Sequence, residues 1–476
     1  MAAATIVFLP CWGSGHFMSM IEAGKRMLAS SGGALSLTVL VMQAPSAAKA
    51  SEVEDHVRRE AASGLDIRFL RLPAIEPPTD CKAPEEFNFR YIQLHAPHVA
   101  EAIAGLASPV AAIVVDLFCT PLLDVARKLA VPRYVYFAST GAFLALMLCL
   151  PTLREQLTVS FREMEGTVHV PGLPPVPSSY MPACLASKKT NNIQCFEYYG
   201  RRFMDASGII VNSSVELERG VLTAIADGRC VLGRPAPVVH AIGPVIWFGA
   251  REEPHECVQW LHSQPSASVV FLCFGSIGFL DRAQVEEIAA GLERSGHRFL
   301  WVLRGPPAAG SSYPTDADLD ATLPSGFLKR TEGRGLVWPS WSPQKEVLAH
   351  PAVGGFVTHC GWNSVLESLW FGVPMVPWPL YGEQHLNAFE LIADMGVAVQ
   401  LKKMDRSKED FFVEAAELEQ AVRGLMGETA KGSKAREKAL EMKATCRKAV
   451  AEGGSSYAAL RKLVLEISPG GEGPSP

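Results

Sequence analysis

The chain has 476 residues, 48% of them hydrophobic and 20% charged, which excludes a disordered polymer and exceeds one ordinary core. Lys and Arg number 44 against 49 Asp and Glu, a net charge of -5, so no basic excess exists to bind a phosphate backbone and no nucleic-acid partner is expected. The first ten residues lack a basic n-region, and no apolar run reaches about 18 residues, so neither a signal peptide nor a membrane span is expected.

The first apolar run, TIVFLP (5–10), reads as a buried strand that enters a Gly-rich turn. A helical pattern over His16–Ala29 follows, and then LSLTVLV (35–41). DIRFL, AAIVVD, RYVYF, GIIVN and VVHAI continue the series. Each is too uniformly apolar for a half-exposed strand, as in a parallel sheet covered on both faces. VPGLPPVPSSYMP (170–182) holds too many prolines for a helix or an inner strand and reads as a loop. PVIWFGAREEPHE (244–256) is a polar connector.

A second series then begins with ASVVFLCFG (267–275) and HRFLWVL (297–303), and continues through GLVW (335–338), VGGFVTH (353–359) and PMVPW (374–378). RGPPAAGSSYPTDADLD (304–320) reads as another long loop, either functional or a surface insertion. SSYAALRKLVLEI (455–467) is an amphipathic last helix, with residues 468–476 expected to fray. Strands alternating with helices imply right-handed βαβ units and an α/β fold. The expected architecture is two Rossmann-like domains with parallel sheets facing a cleft, over 1–243 and 257–454. They are joined by the linker 244–256, and 455–476 forms a helix and tail packing back on the first domain. The 11 cysteines are scattered without a C-x-x-C pair, and Cys119 and Cys273 sit inside apolar runs. They read as buried thiols of a reducing compartment rather than disulfides or zinc ligands, so a cytoplasmic location is expected.

The chemistry concentrates in Trp341–Gln384, WSPQKEVLAHPAVGGFVTHCGWNSVLESLWFGVPMVPWPLYGEQ. VGGFVTH reads as a strand and CGWNS as a turn opening the helix NSVLESLWFG. Free N–H groups and the positive dipole end at such a start make an anion site. His359, Asn363 and Ser364 cluster there, so a diphosphate fits without Lys or metal. Glu367, one turn on, is placed to accept two ribose hydroxyls, and Trp341 offers a ring for stacking on a base. Glu383 and Gln384 follow PMVPW at the sheet's C-terminal edge, where ligands of open α/β sheets collect. Taken singly these features have structural readings, Trp341 as core above all; their joint spacing does not.

The segment resembles the donor-binding signature of plant UDP-dependent glycosyltransferases, the inverting GT-B class that acts on small molecules. W-x-P-Q, H-P-x-x-G-G-F-x-T-H-C-G-W-N-S, E, G-V-P-M, W-P and E-Q stand in register, and the likeness extends to GIIVNSSVELE (208–218) and VVFLCFGSIG (269–278). The resemblance implies that Trp341 stacks on uracil and Glu367 holds the ribose. It further implies that His359, Asn363, Ser364 and Ser276 bind the diphosphate, and that Trp362, Glu383 and Gln384 touch the sugar. Gln344 of the W-x-P-Q turn joins the UDP-sugar set. Gln at 384 with Trp at 362 resembles glucose users, whereas galactose users tend to carry His at the end and glucuronate users an Arg nearby.

Transfer to a hydroxyl needs a base near the acceptor oxygen. His16 ends the turn PCWGSGH after the first strand, and alone it reads more readily as a helix-capping or packing residue. Asp116 ends the strand AAIVVD, and strand ends of one parallel sheet share a crevice. A carboxylate on the far imidazole nitrogen would fix the tautomer. The resemblance likewise makes His16 the base and Asp116 its partner, with α-linked UDP-glucose giving a β-glucoside and with no cofactor or metal. Asp124 reads as structural. The family often has proline where Ser19 stands here, a departure that touches local packing or acceptor fit. Phe87, Phe118, Phe143, Met181 and Phe196 suggest a flat apolar pocket for a phenolic, and Ser139 and Thr140 after the strand RYVYF are within reach of the sugar.

A monomer binding a UDP-sugar and a small lipophilic acceptor is therefore expected. Open alternatives are another UDP-sugar, or a carbon or nitrogen nucleophile. A UDP-sugar epimerase and a non-catalytic UDP-sugar sensor are weaker rivals. A Rossmann oxidoreductase is disfavoured, since Gly13-x-Gly15-x-x-Met18 lacks the third glycine and no acidic residue ends LTVLVMQ.

Overall fold

The apolar runs of the first half form one seven-stranded sheet. Its strands are β1 (Ala4–Leu9), β2 (Leu35–Val41), β3 (Ile67–Arg71), β4 (Val110–Asp116), β5 (Arg133–Phe137), β6 (Gly208–Val211) and β7 (Val239–Ala241). They lie in the order β3-β2-β1-β4-β5-β6-β7, every neighbouring pair parallel. The computed structural model describes residues 3–81, 83–157, 159–186, 192–249, 255–308, 313–401, 412–427 and 429–468. Parts of the expected connector (250–254), second loop (309–312) and tail (469–476) lie outside the described residues.

Successive residues of β1 face opposite cores. Ile6 and Phe8 pack with Phe17, Met20 and Ile21 of helix α1 (Ser14–Ser30), and Val7 and Leu9 pack on the other side. Both faces are dry, which is why the run lacks a polar alternation. β3 departs from the expected uniform burial: IRFLR is only half-buried or exposed along its length. It lies at the sheet edge, where charged side chains blunt unpaired backbone.

The second half forms a five-stranded parallel sheet from β8 (Val269–Cys273), β9 (Arg298–Val302), β10 (Gly335–Trp338), β11 (Val353–Thr358) and β12 (Met375–Pro377), in the order β10-β9-β8-β11-β12. Each sheet therefore changes direction once, between β1 and β4 and between β8 and β11. At such a switch point the connections leave the sheet on opposite sides and open a crevice at the strands' carboxyl ends. The helix Ser455–Ile467 contributes Leu460, Leu463, Val464 and Ile467 to the core holding Ile6 and Phe8, and Ser456 Oγ donates to the Gly243 carbonyl at 2.5 Å.

The expected loop over 170–182 is more ordered than its prolines suggest. Val176–Pro177 pairs antiparallel with Thr167–Val168, and Val170, Val176 and Met181 are fully buried. In the second expected loop, Arg304–Pro307 pairs with Pro314–Asp316. Proline at the edge of a two-stranded ribbon costs little, because the missing N–H would face away from its partner. Among the described residues no helix is long and apolar enough to cross a membrane.

Candidate active site

β1 ends at Leu9 and the chain turns back through PCWGSGH. Gly13 has φ +97°, a backbone that side-chain-bearing residues rarely adopt. Its carbonyl accepts from His16 N at 3.1 Å and Phe17 N at 2.9 Å, which opens α1. His16 thus stands on the first turn of α1 beside the end of β4, where Asp116 lies. His16 Nδ1 and Asp116 Oδ2 are 2.8 Å apart. A carboxylate only accepts, so Nδ1 carries the proton and Nε2 keeps its lone pair when the ring is neutral. Asp116 is fully buried and its Oδ1 accepts from Phe118 N at 3.0 Å. The His16 side chain stays 31% exposed. Burial pushes the imidazole pKa down, but the Asp116 charge and hydrogen bond more than offset it, and the value is raised to about 9.

Across the cleft, β11 ends at Thr358 and the chain enters helix α2 (Trp362–Phe371) through Cys360, a non-glycine residue at φ +64°. Cys360 N donates to Thr358 Oγ1 at 3.2 Å and Asn387 Nδ2 donates to the Cys360 carbonyl at 2.9 Å, which holds the strained turn. α2 begins without a side-chain cap, leaving its first N–H groups for an anion. His359 is buried between Gly275 and Gly361, where a Cβ on either glycine would lie 2.5 Å from its Nε2. Burial pushes its pKa down to about 4, so the ring is neutral, and its Nδ1 has no partner among the described residues. Ser276, next to Gly275 at the β8 end of the same switch point, is exposed.

The rest of the donor segment is knitted to this helix. Gln344 Nε2 donates to Ser364 Oγ at 2.9 Å and to Glu367 Oε2 at 2.7 Å. Burial raises the Glu367 carboxyl pKa against the opposing Lys345 charge and the Gln344 bond. Trp341 is 62% exposed, its carbonyl held by Trp338 Nε1 at 3.1 Å, so its ring is a surface platform and not core. Glu383 Oε1 accepts from Ser139 Oγ at 3.0 Å. Gln384 is buried, and its Oε1 caps Leu380 N and Tyr381 N at 2.8 and 2.9 Å.

Two hydrogen bonds tie the donor helix to the first half of the chain, one of them to the helix of His16. Asn363 Nδ2 donates to the Gly15 carbonyl at 2.8 Å, and Trp362 Nε1 donates to the Asn212 carbonyl at 2.7 Å. Asn212 Nδ2 in turn donates to Ser19 Oγ at 3.1 Å, and Ser19 Oγ lies 2.6 Å from Tyr136 Oη. Ser19, standing where the family often has proline, is therefore part of this network. The buried Trp362 indole is committed to Asn212, so any sugar contact from Trp362 falls to its backbone.

The expected acceptor residues divide. Phe118 lies 5.2 Å from the His16 ring and continues to Phe196 (6.3 Å), which meets Phe143 (6.2 Å). Phe87 meets Tyr91 at 5.4 Å, and Tyr91 stacks on Trp12 at 5.4 Å. Thr140 is fully buried, its Oγ1 accepting from Phe143 N at 2.9 Å as a helix cap. Met181 is fully buried as well. Asp124 pairs with Arg202 and Arg127, both at 2.9 Å. Trp12, Tyr91, Tyr199 and Asn212 were not singled out by the sequence, whereas Ser139 was. Asn212 follows the strand GIIV directly, so the strand-end argument that selects Asp116 applies to it equally. Tyr91 and Tyr199 sit within helices and carry no local mark.

Residues 222–425 match the family described as UDP-glucoronosyl and UDP-glucosyl transferase. A protein of Oryza sativa subsp. japonica named malvidin galactosylase is 59% identical over 475 residues, 98% of each chain. The anthocyanidin 5,3-O-glucosyltransferase of a Rosa hybrid cultivar is 38% identical over 474 residues, 97% of this chain and 98% of that one. The structure of Phytolacca americana UGT2 complexed with UDP-2fluoro-glucose and pterostilbene superposes with a TM-score of 0.83 at 33% identity, covering 98% of this chain and 100% of that one. The chain therefore belongs to the plant UDP-dependent glycosyltransferases and has their GT-B fold.

Proposed function

We propose that the chain transfers a hexose from its UDP conjugate to a hydroxyl of a flavonoid-type phenolic, with inversion at the anomeric carbon. The observation that carries this reading is the 2.8 Å His16–Asp116 bond on a helix joined through Gly15–Asn363 to the donor helix. In the proposed step, His16 Nε2 takes the acceptor's hydroxyl proton while the oxygen attacks C1. The C1–O bond to UDP breaks, and its electron pair leaves on the β-phosphate oxygen. Asp116 holds the imidazole in orientation and offsets the charge it gains. The uncapped start of α2, with Asn363, Ser364, Ser276 and the backbone around His359, is proposed to meet the diphosphate charge without a metal. Trp341 and Gln344 would receive uracil, Glu367 the ribose, and Glu383 with Gln384 the sugar. The aromatic chain from Phe118 through Phe196 to Phe143 suits a flat acceptor, in line with the phenolic names borne by the relatives.

The donor is glucose on the reading of Gln384 beside Trp362. A second reading, galactose, is favoured by the name of the rice relative at 59% identity, and Gln384's oxygen is occupied by its own loop. Initial rates with UDP-glucose and UDP-galactose on an anthocyanidin separate the two. Activity with neither donor on any phenolic would sink the proposal.

A base whose conjugate acid has a pKa of about 9 is free in roughly one molecule in a hundred at neutral pH. Only the deprotonated ring accepts a proton, so kcat/KM should climb about tenfold per pH unit and level off near pH 9. A profile flat from about pH 6 upward would contradict the raised pKa. Glu367→Ala should raise the KM for the UDP-sugar on the order of tenfold or more, as expected on losing charge-assisted bonds of about 1.5–3 kcal/mol. An unchanged donor KM removes Glu367 from the ribose.

A further inference from the structure

The proposed dyad leaves two side chains beside Asp116 without a role. Cys11 follows β1 by two residues, and Cys119 lies in the short turn Leu117–Leu122 after β4. The strand-end geometry that joins His16 to Asp116 therefore brings two thiols to the same point. Both sulfurs and an Asp116 carboxylate oxygen lie within 4.8 Å of one another, and all three residues are buried. The two thiols are within hydrogen-bonding reach of each other. Neither belongs to a disulfide. Because they come from different strands and form no C-x-x-C pattern, their spacing along the chain gives no sign of this.

We propose that Cys11, Cys119 and Asp116 form a binding site for one thiophilic divalent cation of the Zn2+ or Cd2+ class, and that filling it inhibits transfer by drawing the Asp116 charge away from His16. Two sulfurs and one carboxylate are a soft to borderline donor set, suited to such ions and not to Mg2+ or Ca2+. Three protein ligands leave a fourth position for water, as in open tetrahedral sites. Binding releases the two thiol protons to solvent and forms two metal–thiolate bonds. Both Asp116 oxygens already accept a hydrogen bond, Oδ2 from His16 and Oδ1 from Phe118 N, so a bound cation would share the carboxylate's charge with the imidazole. A cation on this carboxylate therefore weakens the charge that holds the imidazole and offsets its protonated form. The inhibition, but not the binding, rests on the proposed role of His16 and Asp116.

The test titrates chelator-treated full-length enzyme with Cd2+, following the thiolate-to-cadmium ultraviolet band and turnover together. One saturable ion per chain is expected. Its band is lost in Cys11→Ser and in Cys119→Ser but kept in Cys149→Ser, whose thiol meets Cys230 instead. Turnover should fall on the order of a hundredfold as the band fills, and EDTA should restore it. Both serine variants of the pair turn over normally without metal and resist Cd2+. A band that persists in both serine variants, one that fills without loss of turnover, or a loss that EDTA does not reverse overturns the proposal. The band reads the ion and not the reaction, so a failed base assignment, seen as full activity of His16→Ala, is told apart from a failed site.

Discussion

His16→Ala should lower turnover by roughly 100- to 10,000-fold, the range a positioned general base supplies, while UDP and UDP-sugar still bind. The separation follows from where the groups sit. Gln344, Ser364 and Glu367 bond among themselves on the second sheet's side of the cleft. The link from α1 to the donor helix uses the Gly15 carbonyl, which the substitution leaves in place. The imidazole's own hydrogen bond is to Asp116, so its loss removes the proton acceptor and little else. Calorimetric titration with UDP beside a turnover assay checks this. Full activity would remove His16 from the chemistry, and a parallel loss of UDP affinity would make its role one of donor binding.

Asp116→Asn should approach the same loss, up to about 10,000-fold, for a different reason. The amide is nearly isosteric, and its oxygen can still accept from Phe118 N as Asp116 Oδ1 does. Its NH2 group then faces His16 Nδ1, which must turn acceptor and leave the proton on Nε2. The ring would present a donor to the acceptor hydroxyl where a lone pair is needed. The carboxylate is also what raises the imidazole pKa to about 9 against burial. Without it, burial is opposed only by the smaller effects of Cys11 and Glu383, and the residual activity should level off well below pH 9. A variant within about twofold of wild type, or one with the wild-type limb near pH 9, would contradict this role.

How much of this was legible beforehand depends on whether the information is local. The strands were readable because dryness on both faces demands continuous apolar runs, and β3 misled because an edge strand tolerates Arg68 and Arg71. The segment 170–182 is a loop as its prolines imply, and its two-residue ribbon strand is compatible with burial of Val176. Trp341–Gln384 was readable because one strand, one turn and one helix carry most of it in sequence. Trp362 shows the limit: its indole serves Asn212, 150 residues away in the chain, and no pattern near Trp362 announces that partner. The pairing of Ser139 with Glu383 and the Trp12–Tyr91 stack are of the same kind. They depend on which strand ends the topology brings together, which follows only once the two switch points are known.

Transfer is proposed to be a single displacement, with a base on one side of the cleft and the UDP-sugar on the other. The measurement that tests it most directly is the anomeric configuration of the purified product, read by proton NMR after turnover with an α-linked UDP-hexose. The β-glycoside is expected from the first turnover onward. An α-glycoside would require two displacements or a front-face path, and would contradict it.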